Sequence, residues 1–132
     1  MLEAGIKGQV EFIADEAGSA KAMGSGALDV LATPKMIAML EKAAWESVQP
    51  YLEEGCGTVG ILMNVTHNAA TPLGMKVTCT SELLDVEGKK LVFKVEAFDE
   101  KGHIGGGLHE RFIINNEKFQ SKTDGKRNAV NP

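Results

Sequence analysis

The chain has 132 residues, of which 43% are hydrophobic and 24% charged, a balance that suits one compact globular domain able to bury a core. Its formal net charge is −4 and no basic run exceeds Gly125-Lys126-Arg127, so the electrostatic footprint of a nucleic-acid binder is missing. The N-terminus carries Glu3 among short apolar pieces and no stretch approaches the ~18 apolar residues of a membrane span, so a soluble, cytoplasmic protein with no membrane partner is expected. Cys56 and Cys79 lie far apart without C-x-x-C spacing, which suggests two reduced thiols rather than a zinc site or a disulfide.

Residues 7–14 hold a period-2 pattern with Val10 and Phe12 on one side, and predict a first strand. Asp15 to Gly26, rich in Gly, Ala and Ser, reads as a mobile loop, either a lid over a pocket or a slack connector. Thr33-Pro34 follows as an N-cap hydroxyl and a proline at the first helical position, opening the one long helix, which should stop between Tyr51 and Gly55. At about 100° per residue, Met36, Ile37, Leu40, Ala44, Val48 and Leu52 share one face, while Lys35, Lys42, Glu46, Gln49 and Glu53 lie opposite. Four further strands are predicted at 57–67, 74–86, 89–99 and 103–114, their spacing implying an antiparallel meander with tight turns at Glu87-Gly88 and Asp99 to Gly102. Between Lys90 and Asp99, Leu91, Phe93, Val95 and Ala97 alternate with Val92, Lys94, Glu96 and Phe98, as in a sheet with one face on a core. Trp45 and Phe98 read as core or subunit-interface residues. The polar end of the chain, about 120–132 and closing on Asn131-Pro132, is expected to be a flexible tail on a single domain spanning 1–132. These elements make the class α+β, a five-stranded antiparallel sheet wrapped around one long helix.

Glu41 is out of place in this pattern, because it falls between Val48 and Leu52 on the apolar side of the helix. A buried, unpaired carboxylate costs several kcal/mol or takes up a proton, so the position needs a partner or a purpose, unless Glu41 is a helix-edge residue whose stem packs while its head reaches water, the reading that the helix alone favours. His67 closes the strand Asn64-Val65-Thr66-His67, and a sheet that wraps the helix can bring it toward Glu41 and Thr33. A carboxylate, an imidazole and a hydroxyl together form a hydrolytic set, in which the carboxylate acts as base or nucleophile. Gly60 interrupts the β-favouring run Gly57-Thr58-Val59-Gly60-Ile61 and leaves room either for a bulge or for an acyl group close to a backbone N–H. His109 and Arg111 share a face of the last strand by alternation. Arg111 is a candidate clamp for an anion or carbonyl, or the partner of Glu110 or Glu82 in a surface salt bridge. The triple glycine Gly105-Gly106-Gly107 lacks the G-x-x-x-x-G-K-[ST] form and is not a nucleotide signature.

Several segments in one order resemble the hotdog-fold thioesterases of the fluoroacetyl-CoA thioesterase-like group: Val30-Leu31-Ala32-Thr33-Pro34, the helix carrying Glu41, Val65 to Gly74 with its Ala69-Ala70-Thr71-Pro72, Leu91 to Ala97, and His109-Glu110-Arg111-Phe112. The resemblance implies a hotdog fold that dimerises by joining sheets edge to edge, as a homodimer or within a higher oligomer, with active sites at the subunit interface. It implies Thr33, Glu41 and His67 as the catalytic set and Gly60 and Arg111 as substrate contacts. It also implies hydrolysis of a short or medium acyl-CoA thioester to free acid and CoA, with no cofactor beyond the CoA of the substrate. The chain departs from the group at Ala22-Met23-Gly24-Ser25-Gly26-Ala27, where the fluoroacetyl-specific enzyme carries aromatic gating residues, which argues against fluoroacetyl specificity.

Hotdog hydratases pair Asp with a histidine five residues on, whereas Leu62, Phe98 and Ile104 precede the three histidines here at that distance. A non-catalytic acyl-CoA-binding or regulatory module is the other alternative, against which the joint presence of Thr33, Glu41 and His67 speaks.

Overall fold

The computed structural model describes residues 1–130. Strands β1 (Lys7–Ile13), β2 (Cys56–His67), β3 (Lys76–Glu87), β4 (Lys90–Asp99) and β5 (Gly102–Asn115) form one antiparallel sheet in the order β1-β3-β4-β5-β2. A four-residue helix, α1 (Ala20–Met23), precedes the long helix α2 (Thr33–Val48), and α3 (Asn116–Val130) follows β5. The expected meander holds for β3, β4 and β5. β2 instead crosses the end of the sheet to pair with the outer side of β5, because α2 must be covered on both flanks and consecutive pairing would leave one bare.

The core lies between the sheet and α2, which buries Met36, Leu40, Ala43, Ala44 and Val48 against Val77, Leu83, Leu91, Phe93, Val95 and Ala97. Alternation in β4 matches this face residue for residue. Cys79 sits fully buried in the same core, and burial pushes its thiol up to about 12. Neither predicted aromatic joins it: Trp45 stands half-exposed with the Lys42 ammonium 5.9 Å from its ring, and Phe98 meets His103 edge-on at 5.3 Å.

Three local outcomes differ from the sequence expectations. Ala32, not Thr33, caps α2: its carbonyl accepts from Met36 N at 3.0 Å, and no side chain among the described residues caps the helix. The Asp15–Gly26 stretch is neither slack nor bare, since Asp15 accepts from Gly18 N, Ser19 accepts from Ala22 N, and Ala20 N donates to Val30 O. Where a flexible tail was expected, the chain is helical through α3, every side chain from 115 to 128 being exposed; Asn131 and Pro132 lie outside the described residues.

The triple glycine proves to be a packing device. A Cβ on Gly105 would strike Thr66 O and come within 3.1 Å of Met36 Sδ, one on Gly106 would meet Val95 O, and one on Gly107 would strike Asn64 O. β5 therefore runs close between β2 and β4, which lets the sheet curl round the helix.

Candidate active site

The five candidate residues fall into two clusters along α2. At its N-terminal end, Thr33 Oγ1 and His67 Nδ1 share a hydrogen bond of 2.7 Å. The hydroxyl that sequence assigned to capping makes this contact instead, because Thr33 is the first helical residue and not the N-cap. His67 Nε2 is buried and makes no hydrogen bond among the described residues, and burial lowers the basicity of the ring. Beside the pair lies a cavity of about 210 Å³ walled by Ala20, Ser25, Val30, Leu31, Asn68, Ala69 and Ala70, with no charged side chain in its lining.

The second cluster forms about two turns further on. Glu41 Oε2 accepts from an Arg111 amine nitrogen (Nη1) at 3.1 Å. Glu41 is 40% exposed while Arg111 is only 7% exposed, so the ion pair is sunk on the arginine side and open on the carboxylate side. Arg111 is also anchored to Thr58, donating from Nε to Oγ1 at 2.8 Å and from Nη2 to the carbonyl at 2.9 Å. Its Nη1 lies 3.2 Å from His109 Nε2, and His109 Nδ1 lies 2.8 Å from Leu62 O. Burial lowers Arg111 from its ordinary value and the Glu41 charge pulls it back; a guanidinium remains charged under both influences. The salt bridge that sequence drew to Glu110 or Glu82 is made to Glu41 instead.

Gly60 brings the bulge that sequence offered and a close approach by Glu41 that it did not. β2 carries a bulge between Gly60 and Leu62 that leaves Ile61 unpaired, and a Cβ on Gly60 would stand 2.7 Å from Glu41 Oε2. The carboxylate occupies the space that the missing side chain vacates. Thr58 and His109 are the members that sequence reasoning left without a role, although His109 was legible as the same-face neighbour of Arg111 two residues away.

No hydrogen bond or ion pair joins Glu41 to His67 among the described residues. The expected approach of His67 to Glu41 is thus absent within one chain: eight residues of helix, about 12 Å of rise, separate Thr33 from Glu41. Among the described residues no three His, Cys, Asp or Glu side chains are grouped to hold a metal, and no helix is long and apolar enough to cross a membrane.

Partly buried His67 and fully buried His109 are both lowered from the ordinary imidazole value of 6.5 chiefly by burial, for His109 also by the Arg111 charge. Below 6.5 the unfolded chain binds protons that the folded chain refuses, so stability is full above that value and is lost as pH falls beneath it. Urea midpoints at about pH 7.5 should exceed those at about pH 5, and His109→Gln should narrow the gap. An unchanged gap in that variant would show that His109 charges as readily folded as unfolded.

A long helix held in a five-stranded antiparallel sheet is the hotdog fold, and the solved structures that superpose on it at 25% identity or more are thioesterases. A mutant of the fluoroacetyl-CoA thioesterase FlK in complex with acetyl-CoA superposes with a TM-score of 0.90 at 35% identity, covering 95% of this chain and 98% of that one. A thioesterase superfamily member from Thermus thermophilus superposes at 0.89 with 26% identity over 98% and 96% of the two chains. The chain belongs to the fluoroacetyl-CoA-specific thioesterase family, whose model matches residues 14–117. The fluoroacetyl-CoA thioesterase of Streptantibioticus cattleyicolor is 46% identical over 101 residues, 76% of this chain and 73% of that protein.

Proposed function

We propose that this protein is a cytoplasmic acyl-CoA thioesterase, which hydrolyses a short, uncharged acyl-CoA to free acid and CoA at sites shared between the two protomers of a homodimer. The observation that carries the reading is the division of the polar groups into a Thr33–His67 pair and a Glu41–Arg111 pair on opposite halves of β2. β2 is an edge strand with Ile61 51% and Leu62 44% exposed, an apolar edge suited to a second copy of itself. Antiparallel pairing of two such strands about a two-fold axis between Met63 and Asn64 sets Gly60 of one protomer opposite His67 of the other. Each site then receives Glu41 and Arg111 from one protomer and Thr33 and His67 from its partner.

In this arrangement the acyl group enters the uncharged cavity beside Thr33, whose alanine walls suit a short chain. Glu41, seated against Gly60, attacks the thioester carbonyl or takes the proton from attacking water. The Gly60 N–H and Arg111 are the candidates to polarise that carbonyl or hold part of the substrate. His67 Nε2, buried and without a hydrogen-bond partner among the described residues, passes on to the departing thiolate the proton that water gives up to Glu41, and Thr33 fixes the ring through Nδ1. Carboxylate, imidazole and water account for every proton and bond in the scheme, so it invokes no metal or other cofactor.

Release of CoA thiol across a panel of acyl-CoAs tests the reading. Turnover is expected to be highest for short uncharged acyl groups, to fall as the chain outgrows the cavity, and to be weak for carboxylated ones such as malonyl-CoA. Binding of acyl-CoA without thiol release above background would instead support a non-catalytic binding module.

A further inference from the structure

His109 is 1% exposed, stacked at 6.1 Å on Phe93, and stands among groups whose chemistry fixes its protons. Its Nδ1 faces the Leu62 carbonyl at 2.8 Å, which can only accept, so Nδ1 carries a hydrogen. Its Nε2 faces Arg111 Nη1 at 3.2 Å, which can only donate, so Nε2 presents a lone pair. One imidazole satisfies both demands only in its neutral, Nδ1-protonated form. The bulge at Ile61 gives this chain its fixed end, because Leu62, the carbonyl that orients His109, is the first residue paired after the slip.

We propose that His109 is a positioning residue of the hydrolytic site, its Nε2 lone pair holding one Nη1 hydrogen of Arg111 so that only the other is offered to Glu41. Thr58 takes the Nε hydrogen and one Nη2 hydrogen of Arg111, and Nη1 is the nitrogen that meets the carboxylate. Without the acceptor at His109, both Nη1 hydrogens compete for Glu41. The carboxylate is then drawn down onto the arginine and away from its seat over Gly60. Burial and the Arg111 charge both oppose the imidazolium, which would turn a donor toward a donor.

The kinetic arm of the test rests on the thioesterase reading, while the spectroscopic arm does not. His109→Gln places its amide oxygen where Nε2 was, and kcat is expected to stay within about threefold of wild type. His109→Leu, and His109→Asn, which can donate to Leu62 but reaches no further, should lose about thirtyfold in kcat with KM shifted less than threefold. Equal damage from Gln and Leu, a Leu variant that keeps its kcat, or a loss confined to KM would overturn the assignment. In the wild-type dimer labelled with ¹⁵N-histidine, a protonated Nδ1 and a bare Nε2 are expected for His109 at neutral pH. A protonated Nε2 or an imidazolium would end the inference whatever the activity shows. If wild type releases no thiol from any acyl-CoA, the thioesterase reading fails alone, and the ¹⁵N spectrum still decides the hydrogen-bond chain.

Discussion

Glu41→Gln and His67→Ala are each expected to lower kcat for acyl-CoA hydrolysis by about a thousandfold, and their mixture to recover about a quarter of wild-type activity after subunit exchange. The glutamine keeps the bulk of Glu41 and its bond to Arg111 but removes the charge that attacks or takes a proton. The alanine removes the imidazole bonded to Thr33. Neither loss can be made good within one chain if the two clusters serve different sites. In a mixed dimer, one site holds both defects and the other holds none. Random exchange makes half of the dimers mixed, each with one intact site of two, and hence the quarter. A mixture that stays at the sum of its parents, with exchange shown by mass-tagged subunits, would place both groups of a site in the same protomer and reject the shared arrangement.

Gly60→Ala should abolish most activity while sparing the fold, with kcat down about a hundredfold and Tm within a few degrees of wild type. The added Cβ would lie 2.7 Å from Glu41 Oε2 but 3.3 Å from Arg111 Nη1 and 3.4 Å from His109 Cε1. The group that must yield is therefore the free end of the glutamate, which is flexible and partly exposed, so the strain is relieved by moving the carboxylate rather than the backbone. Gly57→Ala is the matched control. In the same strand its Cβ would meet Asn116 Oδ1 at 2.6 Å, an equal clash against a side chain remote from Glu41, and kcat should hold within about twofold. Equal losses in the two variants would mean that β2 itself, and not the carboxylate, had been disturbed.

The helix and all five strands could be read from sequence because their signals are local: a 3.6-residue stripe through Met36, Leu40, Ala44 and Val48, and strict alternation from Lys90 to Asp99. The position of β2 beyond β5 could not, since strand order depends on what the sheet must cover. Thr33 was legible as a helix-start residue and misassigned as the cap, because a threonine followed by proline has the same appearance one position either way. Glu41 was legible as a misfit, but its partner was not. Arg111 lies seventy residues away in sequence and meets Glu41 only through the pairing of Gly60 with Arg111 across β2 and β5. Gly60 was legible as a bulge or a close approach, and the bulge is there, but a glycine reports that something comes close without saying that it is the Glu41 carboxylate.

Gly105 has a further consequence for how this scaffold can change. It pairs with His67 across the sheet, and its bare Cα lets the His67 backbone settle within reach of Met36 and so of the helix end that carries Thr33. The bare Cα sets the strand that carries the imidazole, and the bond to Thr33 then fixes the ring. In the proposed scheme, cavity-wall residues such as Ala20, Ala69 and Ala70 could change in size and retune which acyl group is accepted, while the spacing of the proposed catalytic groups stays inherited from the backbone. Specificity and chemistry would then rest on separate residues.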